Sequence, residues 1–479
     1  MVLNSPIFLF LFLPITLVLL FAVPRSAKNP VLLLASLLFC AWGDAFSLWV
    51  LTFCVLANYS FGLLIERAKP RTKKIVLGAA VGIDIGVLLY CKYAKFAVDN
   101  LQSLGVIDAA RYDFSGRHLP LGISFFTFSV IAYLIDIYRS KARAEGNPLD
   151  FGLFVALFPK IIAGPIVRYK DLSGELKQRK VTLTDFAYGV RRFVIGLGKK
   201  VLIANMLGAV ADAAFRPQAG LDMPTAWLGI LCYTLQIYFD FSGYSDMAIG
   251  LGRMLGFTFM ENFNYPYISQ SIQEFWRRWH ISLSTWFRDY LYIPLGGNRG
   301  SEGRTYLNLV LVFLLCGFWH GASWNFIVWG GYYGLFLVLE RLGLARALQE
   351  SWRPVRHLYA CLVVMIGWVF FRAEDLPQAV RYLKTMFSFT FHNIEYFYMT
   401  FIGWQVLLAL AVGLIGSAPL ASAIQMLRAR IEERGAARLL TFYDLNCSVL
   451  GLVFVLSVFM ASLMQLAIST YSPFIYTKF

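Results

Sequence analysis

The sequence predicts an all-α polytopic membrane protein, and three observations carry that reading. Of 479 residues, 58% are hydrophobic and only 15% charged, where a soluble chain carries nearer a quarter of its residues as charged ones. Mean hydropathy is +0.61. Apolar stretches long enough to cross a hydrocarbon core of ~30 Å recur from one end of the chain to the other.

Twelve stretches read as spans: 5–23, 30–44, 45–65, 75–92, 119–138, 186–212, 224–250, 305–320, 323–343, 356–372, 400–417 and 446–468. The expectation is about 11 to 12 transmembrane helices with re-entrant or interfacial helices beside them. The first lacks a charged leader and a small-residue cleavage site, so it reads as a retained span and not a removed signal peptide. The stretch 149–167 is apolar but carries Pro159, Lys160 and the Gly164-Pro165 break. A broken, re-entrant segment is expected there, because irregular backbone survives at membrane depth only when protein shields it. No connection exceeds about forty residues. That leaves no room for an appended soluble domain, and 1–479 reads as one integral-membrane domain.

The net charge of +15 could suggest nucleic acid, but the basic residues cluster between apolar spans, where cytoplasmic loops collect Lys and Arg. The lipid bilayer is the expected partner and nucleic acid is not. Arg25 and Lys28, Arg67 to Lys74, and Arg139 to Arg143 alternate correctly with the spans if all are cytoplasmic. The run Arg428 to Arg438 falls on the same face, while Glu374, Asp375 and both termini face out. Seven scattered cysteines without CxxC spacing indicate neither a disulfide framework nor a zinc site.

Two segments interrupt the apolar pattern. In FWRRWHISLSTWFRDYLYIPLGGNRG (275–300), Ser271 followed by Glu274 has the form of a capping box, and Pro294 with Gly296 and Gly297 supplies a stop. The expectation is one helix from near Ile272, with Trp276, His280, Ser284 and Arg288 sharing a face at four-residue spacing. It is too polar to span and too aromatic to float free, so it fits the membrane interface. One reading is an anchoring helix. The other is an entry site for an anionic cytoplasmic cosubstrate, with Arg277, Arg278 and Arg288 meeting phosphates and His280 beside them. Composition does not separate the two.

The second segment is LNLVLVFLLCGFWHGASWNFIVWGG (307–331), in which His320 closes a uniformly apolar helix just before Gly321. Ionisable residues inside a span are costly and by default mark function. Counted from Arg304 at the inner surface, sixteen residues at ~1.5 Å each place His320 roughly 24 Å across. A third polar group, Asp240, Ser242, Tyr244 and Asp246 in YFDFSGYSDMAIG (238–250), reads as a structural network supporting the histidines. Asp84, Asp136 and Lys160 are candidates for buried pairs, and His118, His357 and His392 read as ordinary surface residues. There is no GxSxG elbow, phosphate-binding GxxxxGK[ST] loop or HExxH site, and no internal repeat of the kind that marks many transporters.

The blocks WRRWHISLSTWFRDYLYIPLGGNRG and GFWHGASWNFIVWG resemble the membrane-bound O-acyltransferase superfamily and, within it, the bacterial alginate O-acetylase branch. Supporting matches run along the chain: FPKIIAGPIVRY (158–169), YFDFSGYSDMAIGLG (238–252), ENFNYPYISQSI (261–272), GWVFFRAE (367–374) and YSPFIYTKF (471–479). The resemblance implies many helices around a central funnel with a thin middle. It implies that His320, of the FWHG motif, is catalytic, and that His280, of the RRWH motif, is the second signature position, as an orienting or a proton-transferring group. It further implies a bacterial inner-membrane protein without a permanently bound cofactor. Acetyl-CoA would be the cytoplasmic donor and an exported polysaccharide the acceptor, with periplasmic acetyltransferase or carrier proteins as partners. His320, with an ordinary pKa near ~6.5, could act as general base on a hydroxyl, an effect worth about 10²–10⁴-fold. A transient acetyl-histidine is the other mechanism.

Overall fold

The computed structural model describes residues 1–479 except 43, 109–111, 113, 115–118, 217–220, 392–397, 399–401, 435–436 and 469–479. Its helices, in chain order, are α1 (Phe8–Ala22), α2 (Lys28–Ala41), α3 (Ala45–Arg67), α4 (Pro70–Ser103), α5 (Ile123–Tyr138), α6 (Pro148–Ala156), α7 (Phe158–Ile161), α8 (Tyr169–Lys177), α9 (Leu183–Ala214), α10 (Met223–Leu255), α11 (Ile272–Arg278), α12 (Ile281–Phe287), α13 (Glu302–His320), α14 (Trp324–Glu350), α15 (Arg353–Arg372), α16 (Leu376–Met386), α17 (Trp404–Gly416), α18 (Leu420–Glu433) and α19 (Ala437–Ile468). Each of the twelve spans expected from sequence falls on one of them. By length and composition, α3, α4, α9, α14, α15 and α19 are long and apolar enough to cross a membrane, which makes the chain an all-α, multi-pass membrane protein. Part of the chain between the expected spans is helical as well, since α4 runs on to Ser103 and α16 follows α15.

Burial separates two kinds of helix. In α5 and α10 nearly every side chain is inside, whereas α19 is exposed along most of its length and its outer surface is Val, Leu, Phe and Met. Such a surface is stable only against hydrocarbon. The core therefore lies around α5 and α10, and the N- and C-terminal helices wrap it.

The segment 149–167 is broken and buried, as its prolines and glycine predicted. α6 stops at Ala156, α7 makes a single turn, and every residue from Phe151 to Val167 is inside. Its backbone is held by protein: the Phe158 N–H donates to Ser36 Oγ at 3.1 Å, and the Ile166 N–H to Ser282 Oγ at 3.0 Å.

The acids of α10 pair with basic residues of α9. Asp240 meets Lys200 of α9 at 2.5 Å, and Asp246 is clasped by Arg192 (2.6 Å) and Lys199 (2.7 Å) of the same helix. These pairs bolt α9 to α10, because an uncompensated charge at this depth costs several kcal/mol. The other buried charges also find partners. Asp84 accepts from Asn58 at 2.7 Å, Asp136 accepts from the Tyr290 hydroxyl at 2.8 Å, and Lys160 lies 4.8 Å from the Phe154 ring centre. His357 sits in α15 as an exposed residue, as the sequence led one to expect, its Nδ1 3.3 Å from the Ser269 carbonyl. His118 and His392 lie outside the described residues.

Candidate active site

The first departure from expectation is local and instructive. Ser271 caps α11 as its motif predicted, its Oγ accepting the Glu274 N–H at 3.0 Å. The helix then ends after Arg278. Trp279 turns extended and His280 takes φ +45°, ψ +55°, a left-handed conformation that strains a non-glycine residue by about 1–3 kcal/mol. A second short helix, α12, restarts at Ile281 and runs into a wider π-type turn over Arg288–Tyr292. Trp276, His280, Ser284 and Arg288 consequently do not share a face.

The strain is over-determined by Asn262, in the loop after α10. The Asn262 carbonyl accepts the Ile281 N–H at 2.9 Å. Its side-chain Oδ1 accepts from the Ser282 N–H (3.2 Å), the Ser282 hydroxyl (2.9 Å) and His280 Nδ1 (3.2 Å), while Nδ2 donates to Ser245 Oγ at 3.2 Å. Asn262 replaces the helical partners that residues 280–282 would otherwise have, and turns the imidazole inward. His280 is 1% exposed, flanked by Phe241 at 4.6 Å and Phe125 at 6.4 Å between ring centres.

The three arginines read as donor contacts are not brought to His280. Arg277 is exposed, Arg278 pairs with Glu274 at 2.9 Å, and Arg288 is exposed and pairs with Asp289 at 2.7 Å. They lie on the outer side of the α11–α12 hairpin, while its indoles and His280 point in. Beside Arg288, however, the fold gathers cations that are distant in sequence. Arg168 reaches Asp289 at 2.8 Å, the Arg139 guanidinium donates to the Asp289 carbonyl at 3.0 Å, and both lie within 5.7 Å of the Tyr290 ring centre.

His320 is the last residue of α13 and is 5% exposed. Three rings pack edge-on around its imidazole: Trp319 at 4.8 Å, Trp329 of α14 at 5.0 Å and Phe371 of α15 at 5.2 Å. The turn that follows is anchored to α15, since Asn325 Nδ2 donates to the Ala373 carbonyl at 2.7 Å. Two glycines let the chain fold back. A Cβ on Gly321 would lie 2.2 Å from the Phe326 ring, and one on Gly317 would lie 2.2 Å from the Phe326 carbonyl oxygen. The Gly317 position, of no evident weight in the sequence, is where α13 and α14 touch backbone to backbone.

A helix end inside the protein leaves carbonyls without partners. Here α4 supplies them. Lys92 Nζ donates to the Trp319 carbonyl at 2.6 Å and the His320 carbonyl at 3.0 Å, and the Tyr93 hydroxyl to the Phe318 carbonyl at 2.7 Å. A cation at a helix C-terminus is also favoured by the helix dipole. Sequence reasoning placed Lys92 at the end of a span without assigning it a role, although a lysine at that depth was itself a signal.

His320 lines a narrow pocket of about 90 Å³ with Lys92, Gly122, Phe125 and Trp319. Lys92 also lines a second cavity of about 620 Å³, with Tyr90, Gln236, Gly321, Asn325 and Arg372. Phe125 contacts both His280 and Trp319, with ring centres 6.4 and 5.7 Å apart. A stack of Trp286, Phe128 and Trp319, with successive ring centres 4.0 and 5.1 Å apart, ties α12 through α5 to α13. The fold thus joins two histidines forty residues apart through aromatic packing. The arrangement offers a buried imidazole, that of His320, beside a cavity, where it can exchange a proton with a substrate hydroxyl or thiol.

Comparison with known proteins bears on this site. Residues 123–374, which hold α5 to α15 and both histidines, match the model of MBOAT, the membrane-bound O-acyltransferase family. A protein of Azotobacter vinelandii named probable alginate O-acetylase AlgI is 45% identical over 100% of both chains. Its namesake in Pseudomonas aeruginosa is 50% identical over 81% of this chain and 75% of its own. The peptidoglycan O-acetyltransferase of Helicobacter pylori is 38% identical over 80% of this chain and 79% of its own.

Proposed function

Because this chain belongs to the membrane-bound O-acyltransferase family and is an O-acyltransferase, we propose that it transfers acetyl groups from a cytoplasmic donor, acetyl-CoA, across the bacterial inner membrane for the O-acetylation of exported alginate. The observation that carries this reading is the placement of His320. Its imidazole ends a membrane-embedded helix, is walled by three aromatic rings and opens on the narrow pocket beside the larger cavity. Donor and acceptor cannot meet in one aqueous phase, since acetyl-CoA does not cross a bilayer, and a base buried beside a cavity that Arg372, Ala373 and Glu374 border answers the acceptor side of that geometry. His320 acts either as general base on the acceptor hydroxyl or as the transient acetyl carrier. The cations Arg277, Arg278 and Arg288, on the face assigned to the cytoplasm, serve the phosphates of the donor.

Full-length similarity to the proteins named for alginate favours alginate as the polysaccharide. The peptidoglycan relative, matched over four-fifths of this chain, supports peptidoglycan as the second acceptor to test. A periplasmic acetyl carrier or transferase docks at the outer mouth and completes delivery, because the outer connections are too short to fold into a glycan-binding domain.

The test is the acetyl content of exopolysaccharide from a deletion strain complemented with the wild type or with His320→Ala. The variant should insert normally and leave the polymer unacetylated. Near wild-type acetylation by His320→Ala sinks the assignment. Acetylated peptidoglycan with unacetylated alginate in the wild-type strain moves the acceptor to the second reading.

A further inference from the structure

Among the described residues the His280 imidazole is held by one hydrogen bond, and that contact is directional. An asparagine amide has an acceptor end and a donor end that differ by one atom, so its orientation has to come from its neighbours. Here a neighbour decides it. The group facing the Asn262 side chain at 3.2 Å is the backbone N–H of Ser282, which can only donate. The atom meeting it is therefore the acceptor, Oδ1. The Ser282 hydroxyl agrees: it accepts the Ile166 N–H at 3.0 Å, so its own hydrogen is free to point at Oδ1, 2.9 Å away. The other end, Nδ2, faces Ser245 Oγ. Reversing the amide would set its NH₂ against a backbone N–H inside the protein.

With Oδ1 fixed as an acceptor, His280 Nδ1 at 3.2 Å has to carry a hydrogen. In a neutral imidazole the second nitrogen then has none. We propose that Asn262 is a positioning residue that holds His280 in its Nδ1–H form, so that the buried Nε2, on the far side of the ring from Asn262, keeps an unprotonated lone pair. The inference rests on the transferase reading above and goes further. It makes His280 a hydrogen-bond acceptor, the group that receives the O–H, S–H or amide N–H of a substrate and orients it, and it excludes His280 as the proton donor in the resting enzyme.

The surroundings fit that assignment. Nε2 is buried and makes no hydrogen bond to any described residue, and the ring is flanked by phenylalanines that offer it no alternative polar contact. The left-handed backbone at His280 has the same origin, because the Asn262 carbonyl and Oδ1 capture the N–H groups of residues 281 and 282 and bend the chain there. The loop after α10 thereby sets both the direction and the tautomer of a side chain that belongs to the α11–α12 hairpin. Ser282 extends the same control to the broken segment 149–167 through Ile166.

The experiment uses full-length protein in detergent, labelled with ¹⁵N-histidine, with ring-nitrogen resonances assigned by comparison with His280→Gln. In the wild type, His280 should show a protonated Nδ1 and an unprotonated Nε2. Asn262→Ala should fold, judged by an unchanged melting profile of the detergent complex, yet show the two tautomers mixed. Its kcat for acetyl transfer should fall by about tenfold to a hundredfold with KM for acetyl-CoA within about twofold. Asn262→Asp, which keeps an acceptor oxygen in place, should retain the wild-type tautomer. A wild-type His280 protonated on Nε2 overturns the proposal, and so does an unaltered tautomer in Asn262→Ala. If Asn262→Ala does not fold, the wild-type spectrum and that of Asn262→Asp still decide it. The spectroscopic outcome is independent of which acceptor is acylated, so its failure is distinguishable from failure of the transferase reading.

Discussion

Lys92 Nζ donates to the backbone carbonyl of His320 at 3.0 Å. A residue 228 positions earlier thus closes the helix end on which the candidate base sits, through the carbonyl and not through the ring. The contact satisfies acceptors left open at the helix end, and it sets the height of the imidazole relative to the narrow pocket that Lys92 also lines. Lys92→Met keeps the length of the side chain and removes the donor. It should leave two carbonyls short of a partner, at a cost of about 1–3 kcal/mol, and reduce acetyl transfer well beyond any loss of folded protein. A Lys92→Met enzyme with full activity and unchanged thermal stability in detergent would show that the contact is incidental.

Gly317 should be irreplaceable even by alanine. The added methyl would lie 2.2 Å from the Phe326 carbonyl oxygen, and backbone on the facing helix cannot yield as a flexible side chain can. Gly317→Ala should separate α13 from α14, lower stability by about 1–3 kcal/mol and displace His320 from Trp329. Gly303, where an added Cβ meets nothing within 4 Å, is the control. Equal melting temperatures for the two alanine variants would refute the close-packing argument.

Asp289 predicts an acid limit to stability. Burial by itself raises the carboxyl pKa, but hydrogen bonds from Arg288 and Arg168 outweigh it, so the folded-state value lies below the ordinary 3.8. A depressed carboxylate stabilises the fold above its unfolded pKa, and that contribution is lost as pH falls through the folded value. Wild-type stability should therefore be flat through neutral pH with respect to this group and decline below about pH 4. Asp289→Asn should be less stable at neutral pH, with the difference from wild type closing in acid. A pH-independent gap between the two would remove Asp289 from the account.

Topology can be read directly. The basic connection at 139–143 is assigned to the cytoplasm and residues 373–375 to the opposite face. A single cysteine introduced at residue 143 should resist a membrane-impermeant thiol reagent in intact cells and react after permeabilisation, while one at residue 375 should react in both. Labelling of residue 143 in intact cells would invert the proposed direction of transfer.

Periodicity, composition and charge were enough to read the helices, because a membrane span is defined by its own residues: about twenty apolar side chains satisfy the lipid whatever their neighbours do. The break at 157–165 was legible for a similar reason, since Pro159 and the Gly164-Pro165 pair act on their own backbone. His320 was legible because a titratable residue in an oily helix is conspicuous by itself. What the sequence could not express was the set of contacts whose partners are remote. Spacing alone predicted a continuous helix through His280, and only the loop carrying Asn262, eighteen residues upstream, bends it and turns the imidazole inward. Asp240 and Asp246 were visible as buried acids, but their partners Lys200, Arg192 and Lys199 lie on another helix, and which of several nearby cations pairs with an acid is decided by how α9 seats against α10. Lys92 above His320 belongs to the same class. Local chemistry fixed which segments enter the membrane and which residue in them was out of place; the tertiary structure alone decided what those residues face, because hydrogen bonds and ion pairs are short-ranged and directional while the hydrophobic pattern along a helix is neither.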